Sequence, residues 1–374
     1  MHEALTIGRG YDRAASRDIS AERGFNIPSL DGIRALAVMI VFVGHAGLGY
    51  VVPGGFGVTV FFFLSGYLIT TLLRREYERT GRISLRNFYL RRIYRIFPPL
   101  YLVLAILITL KLSGVIPYAM SGWAVAAQLA HLTNYYLLLF PGVEFAPVVP
   151  YTVPMWSLAV EEHFYLLFPL SLLFLLKKNT YPRAALALAA VCAVVLAWRI
   201  ALLWLSQNPD HYTYHATDTR LDSLLFGCIM ALWMNPAMDE PPEAIGARGW
   251  AILCFAAVVV LLGTFLYRDP SFRAAVRYTV QGIALFPLFY CAVRYARSPF
   301  FSWLNLRPVR ALGIISYTVY LSHFAAIQLA GKLLGVSGFT RGVLGFAFTV
   351  AFSAACYVLI ERRFAVLRRK LHRN

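Results

Sequence analysis

Charge is scarce in this 374-residue sequence, and acidic charge is scarcest: 14% of residues are charged, with 18 Asp and Glu against 35 Lys and Arg. With 59% of its residues hydrophobic, the chain cannot wrap an apolar core in a polar shell as a soluble domain does. Cysteine is sparse too. Cys192, Cys228, Cys254, Cys291 and Cys356 are scattered without C-x-x-C spacing, which argues against a disulfide framework or a zinc site. They read as small buried hydrophobes. The polar motifs contain no P-loop, G-x-S-x-G elbow or H-E-x-x-H pattern. No internal repeat is evident, which weakens a transporter built on inverted repeats. The net charge of +17 would suit nucleic acid. The basic residues, however, concentrate between apolar runs, as the positive-inside rule requires of a membrane protein, and nucleic-acid binding is set aside.

What the sequence has instead is a series of apolar runs near the ~20 residues that cross about 30 Å of hydrocarbon. The predicted fold class is an all-α polytopic membrane protein with about ten spans: 33–52, 56–73, 97–114, 154–176, 184–205, 219–235, 250–267, 278–296, 311–334 and 341–360. Residues 1–26 read as a basic cytoplasmic arm, 27–364 as the membrane domain and 365–374 as a basic cytoplasmic tail. The first apolar run is too long for a signal-peptide core and lacks a cleavage pattern. Ser29 or Asp31 is placed to cap the first helix. Pro53 and the glycines after it mark a turn, and Pro98-Pro99 a helix start. Residues 122–140 are ambiguous, because Gln128, His131, Thr133 and Asn134 interrupt an apolar stretch. If this segment spans, Lys177, Lys178 and Arg183 fall outside. If it re-enters, they fall inside with Arg294, Arg297, Arg307 and Arg310, so a re-entrant segment and both termini in the cytoplasm are expected.

Five constellations could carry chemistry. Arg34 and His45 lie eleven positions apart, which on an α-helix is about 1,100° of rotation and about 16 Å of rise, so both point from nearly one face. Arg34 would sit at the mouth of the membrane and His45 about half a bilayer deep. A snorkelling arginine with a structural histidine, or a deep general base, both fit. Arg92 and Arg95, at i, i+3, are either topology signals touching anionic lipid or a fork for phosphate groups. In the run Trp156 to Tyr165, Glu161 and Tyr165 share a helical side with Trp156 less closely aligned, while His163 points away. Glu161 and Glu162 are either structural ion-pair partners or carboxylates that orient a histidine or bind an acceptor hydroxyl. Asp218, Arg220 and Asp222 fit helix capping and ion pairing, or carbohydrate binding. Tyr320 and His323 place a second buried histidine in an apolar run; His131, His211 and His215 are less informative.

Taken in order, S-L-D-G-I-R-A-L-A-V-(x)6-H, F-F-F-L-S-G-Y-L-I-T, F-Y-L-R-R-I-Y-R-I-F-P, W-S-L-A-V-E-E-H-F-Y-L-L-F-P, T-R-L-D-S-L-L-F-G and I-S-Y-T-V-Y-L-S-H resemble the blocks of membrane acyltransferase family 3, the polysaccharide O-acetyltransferase type, over residues 26 to 364. His163 stands where the family usually has Gln, and Glu361-Arg-Arg-Phe where Glu-x-Pro-Phe is common. The chain looks like the stand-alone form without an SGNH domain. The resemblance implies transfer of an acyl group, most often acetyl, from cytoplasmic acyl-CoA, a co-substrate, to a hydroxyl of a surface polysaccharide, a lipid-linked sugar or a glycosylated small molecule, at a bacterial inner membrane. It implies that His45 is catalytic, as base or acyl carrier, and that Arg34 is essential; Glu161 is the second candidate catalytic residue. Arg34, Arg92 and Arg95 would lie on the donor side. Asp31, Trp156, Ser157, Glu162, Tyr165, Arg220, Asp222, Tyr320 and His323 would support the site or the acceptor. No metal is implied. The partners expected are acyl-CoA, a carbohydrate or glycoside acceptor and membrane lipid. The rival readings are a secondary transporter using intramembrane His and Glu, and O-acylation of a macrolide-type small molecule.

Overall fold

A computed structural model describes residues 27–140 and 148–371. The expected basic arm, and the end of the basic tail, lie outside the described residues. Among those described there are helices and no strands. In chain order the α-helices are α1 (Pro28–Val43), α2 (Gly54–Thr80), α3 (Leu85–Leu112), α4 (Gly122–Leu129), α5 (Thr133–Leu139), α6 (Trp156–Lys178), α7 (Tyr181–Leu205), α8 (Pro209–His215), α9 (Thr217–Trp233), α10 (Ala247–Leu266), α11 (Arg277–Arg294), α12 (Arg307–Leu334), α13 (Gly338–Cys356) and α14 (Arg362–Lys370). Nine helical units among the described residues are long and apolar enough to cross a membrane. Helix α9, with 17 residues, is slightly shorter and lies inside the bundle. Together they bear out a polytopic helical membrane protein of about ten spans.

Helix α2 is the hub. Its candidate span is 72% buried, against 22–50% for the others. Small residues let its neighbours approach closely, the usual device where no hydrophobic drive holds helices together in lipid. A side chain at Gly66 would overlap the carbonyl of Leu224, and one at Gly227 the carbonyl of Phe63, so α2 and α9 touch backbone to backbone. Gly313 does the same for α12 under Asp31 of α1. Farther out, Trp250 of α10 stacks on Tyr290 of α11 at 4.0 Å.

Several local expectations change. The first helix begins at Pro28, with Ile27 at its N-cap and no side-chain cap. Asp31 sits in the first turn and pairs with Arg34 instead, and the Ser29 hydroxyl is buried without a described partner. Because the helix starts five residues earlier than expected and runs on as a π-helix over Gly44–Leu48, His45 lies in its last turn and not midway. The glycines after Pro53 belong to α2, with Pro53 as its N-cap. The arginine-rich stretch is helical except for a short turn. Gly81 ends α2 in the left-handed region at φ 66°, and Ser84 caps α3 through the Asn87 amide. Pro98 and Pro99 therefore fall inside α3. Packing holds the helix through them, with Pro99 and Leu100 buried and Tyr317 donating to the Ile96 carbonyl. Residues 122–140 break at His131, φ 56°, into helices of eight and seven residues, each only about 10–12 Å long and so too short to cross alone. All five cysteines are free and buried.

Candidate functional site

The spacing on α1 sets Arg34 near one end and His45 at the other. At the first end, α3 adds Arg92 and Arg95 on one face. Arg34 donates to Asp31 at 2.5 Å. Among the described residues neither Arg92 nor Arg95 has a carboxylate within ion-pairing distance. Arg92 instead lies over the rings of Tyr165 at 4.9 Å and Phe88 at 5.5 Å. Arg92 and Arg95 both act electrostatically on Arg34, and so does Arg368 of α14, a residue the sequence reading did not single out. Phe364 against Tyr94 seats α14 on α3, and Arg368 follows one turn later on the same face. Of these four guanidinium groups only Arg34 is in ion-pair contact with an acid among the described residues, although Glu161, Glu162 and Glu361 lie near enough to act on the others. Such a concentration of guanidinium groups is of the kind that holds a polyanion.

A cavity of about 80 Å³ extends from this end. Its wall includes Arg34, Arg92, Arg95, Glu161, Tyr165, Ser157 and Tyr320. The helical pairing of Glu161 with Tyr165 fixes the carboxylate: Tyr165 donates to Oε2 at 3.0 Å, and Ser65 from α2 donates to Oε1 at 2.9 Å. Both oxygens are thereby engaged. Glu162 has one buried oxygen without a described partner, and His163, on the other side, bonds Thr217 at 2.8 Å. At the far wall the Tyr320 hydroxyl meets Ser157 Oγ and the Pro154 carbonyl, each at 2.6 Å.

His45 is not part of the cavity wall; it is reached through Tyr320. The Tyr320 carbonyl lies 2.6 Å from His323 Nδ1, and His323 Nε2 lies 3.2 Å from His45 Nδ1. His45 Nδ1 is also 3.0 Å from the Val41 carbonyl. Phe324 packs edge-on against His45 at 5.4 Å. The π-helical turn that carries His45 contains Gly47 at φ 104°, and such a turn is a departure from α-geometry often found at functional positions.

The remaining expected residues lie elsewhere. Trp156 packs among Phe62, Tyr214 and His215. His215 lies outside the spans, and burial pushes its imidazole down to about 4, so it is neutral at working pH. Asp222 forms a fully buried two-point pair with Arg199 of α7, at 2.6 and 3.0 Å, with Thr279 bridging. Arg199 was not singled out in the sequence, although an arginine inside an apolar run is the signal for such a pair. Arg220 is fully buried with no carboxylate partner among the described residues. It bonds Thr59 at 2.9 Å and sits 3.8 Å over the Tyr278 ring, amid Phe62, Trp156 and Tyr214. No group of three or more His, Cys, Asp or Glu that could hold a metal occurs among the described residues.

The family described as an acyltransferase domain is matched over residues 27–358, nearly the whole helical bundle. The chain belongs to that family. It is similar to the peptidoglycan O-acetyltransferase OatA of Listeria monocytogenes, 29% identical over 352 residues, covering 90% of this chain and 55% of the relative. It is also similar to the O-acetyltransferase OatA of Staphylococcus aureus strain NCTC 8325, 30% identical over 310 residues, covering 80% of this chain and 50% of the relative. This acyltransferase-family chain thus spans about half the length of the curated relatives it matches. No solved structure matches it.

Proposed function

We propose that this chain is an integral-membrane O-acyltransferase of a bacterial cytoplasmic membrane, with both termini in the cytoplasm. It moves an acyl group, acetyl in the simplest case, from cytoplasmic acyl-CoA to a hydroxyl of a surface polysaccharide, a lipid-linked sugar or a glycosylated small molecule. Peptidoglycan, named for the Listeria relative, is an acceptor of the first class. One observation carries the reading: one cavity is lined both by Arg34, Arg92 and Arg95 and by Tyr320, whose own carbonyl is bonded to the histidine pair.

In this reading Arg34, Arg92, Arg95 and Arg368 hold the phosphates of the donor, since planar guanidinium groups bind phosphate oxygens in pairs. The extended pantetheine arm is comparable in length to the rise of about 16 Å between Arg34 and His45. Glu161, fixed by Ser65 and Tyr165, orients the acyl end or the acceptor. His45 takes the proton of the acceptor hydroxyl while the oxygen attacks the thioester carbonyl. The C–S bond breaks, the ester forms, and the proton passes to the departing thiolate. In the alternative order His45 is acylated first and the acceptor attacks the acyl-histidine.

The test compares surface glycans and secreted glycosides by mass spectrometry from wild-type, deletion and His45→Ala strains of matched expression. Loss of one acyl mass in both altered strains is expected. Glycan acylation retained in the His45→Ala strain would overturn the assignment. Incubating purified protein with labelled acetyl-CoA alone then separates the two orders, because only the second leaves label on His45.

A further inference from the structure

Buried His323 and half-buried His45 form an ordered hydrogen-bond chain whose direction the carbonyls at its ends determine. A carbonyl oxygen can only accept. His323 Nδ1, 2.6 Å from the Tyr320 carbonyl, therefore carries a hydrogen. So does His45 Nδ1, 3.0 Å from the Val41 carbonyl. A neutral imidazole has one N–H, so His323 Nε2 is bare. It lies 3.2 Å from His45 Nδ1 and can only accept from it. The hydrogen on His45 Nδ1 is thus shared between two acceptors, and His45 Nε2 is left with its lone pair free.

We infer that His323 is the positioning residue for His45: it holds the Nδ1-protonated tautomer and accepts the hydrogen bond of the imidazolium that forms during acyl transfer. The inference rests on the proposed role of His45. It adds which nitrogen reacts, and it gives His323 the task that a carboxylate performs behind many catalytic histidines. A neutral acceptor suits this location. His323 is 1% exposed, and the rings of Phe42 and Phe324 flank the pair. A carboxylate there would need its own counter-charge. His323 is itself held, because Tyr320 is pinned through its hydroxyl to Ser157 and Pro154 at the start of α6.

The protein as purified in detergent provides the test, with His323→Gln, which retains an accepting oxygen, set against His323→Met, which does not. With Met, turnover is expected to fall about 10- to 100-fold, as for loss of such an outer partner. The donor KM should stay within about twofold and the Gln variant should recover most of the loss. Equal losses in Met and Gln with matching losses of thermal stability would overturn the inference, as would full turnover in Met. A second measurement on the unmutated protein needs no folded variant. Diethylpyrocarbonate should modify His45 well ahead of His323, and the reverse order sinks the assignment. An active His45→Ala protein overturns the base reading itself. An inactive His45→Ala protein beside a fully active His323→Met protein overturns only the present inference.

Discussion

Two groups of arginines stand in the same bundle and are treated in opposite ways. Arg199 meets Asp222 through two nitrogens, with Thr279 and the Thr219 carbonyl also accepting from it, and the pair is wholly enclosed. Arg92 and Arg95 lie in a cavity wall beside Arg34 and Arg368, and Glu161, the acid in that wall, is already occupied by Ser65 and Tyr165. The first arrangement matches charge with charge and joins α7 to α9, with only the Arg199 Nε left without a described partner. The second leaves positive charge waiting for a partner. In a low-dielectric interior an arginine whose charge is matched reads as fold, and one whose charge is unmatched beside a cavity reads as a binding group. Arg220 stands between the two, enclosed in aromatic rings that supply part of what a carboxylate would.

The largest effect expected from this contrast is on stability. Arg199→Leu leaves Asp222 buried and alone and should cost about 3–5 kcal/mol, whereas Arg199→Leu with Asp222→Leu should recover most of it. Melting curves in detergent decide this, and a single variant as stable as the wild type would break the comparison. Next comes Arg95→Gln. It should melt no lower than wild type, because it relieves repulsion, yet lose about 1.5–3 kcal/mol of donor binding, roughly a 10- to 100-fold rise in donor KM. A melting loss without a KM change would move Arg95 to the structural group. Arg220→Met should destabilise by about 2 kcal/mol, less than Arg199→Leu, since the cation–π contacts and one hydrogen bond disappear but no acid is orphaned. The smallest effect belongs to Arg368→Gln. Its part-buried guanidinium, farther from the cavity, should contribute about 0.5–1 kcal/mol, a two- to fivefold change in donor KM that weakens as salt is raised. Steady-state kinetics at two ionic strengths would read it.

The sequence by itself determined the helical membrane architecture, because runs of apolar residues near the length of a bilayer leave the backbone few alternatives. It also determined the alignment of Glu161 with Tyr165, because helical periodicity fixes which side chains share a face. Helix ends were less legible. The α3 helix runs through Pro98 and Pro99 because tertiary contacts outweigh a local preference, and Ser84 marks its true start. Partners across helices were not legible at all. That Asp222 takes Arg199 and not its neighbour Arg220, that Arg368 joins the arginines of α1 and α3, and that His323 stands behind His45 across 278 positions of chain were decided only by tertiary structure. Periodicity specifies the direction of a side chain around its own helix axis. Which helix lies opposite is set by close packing at glycines such as Gly66, Gly227 and Gly313, whose effect appears only once the backbones meet.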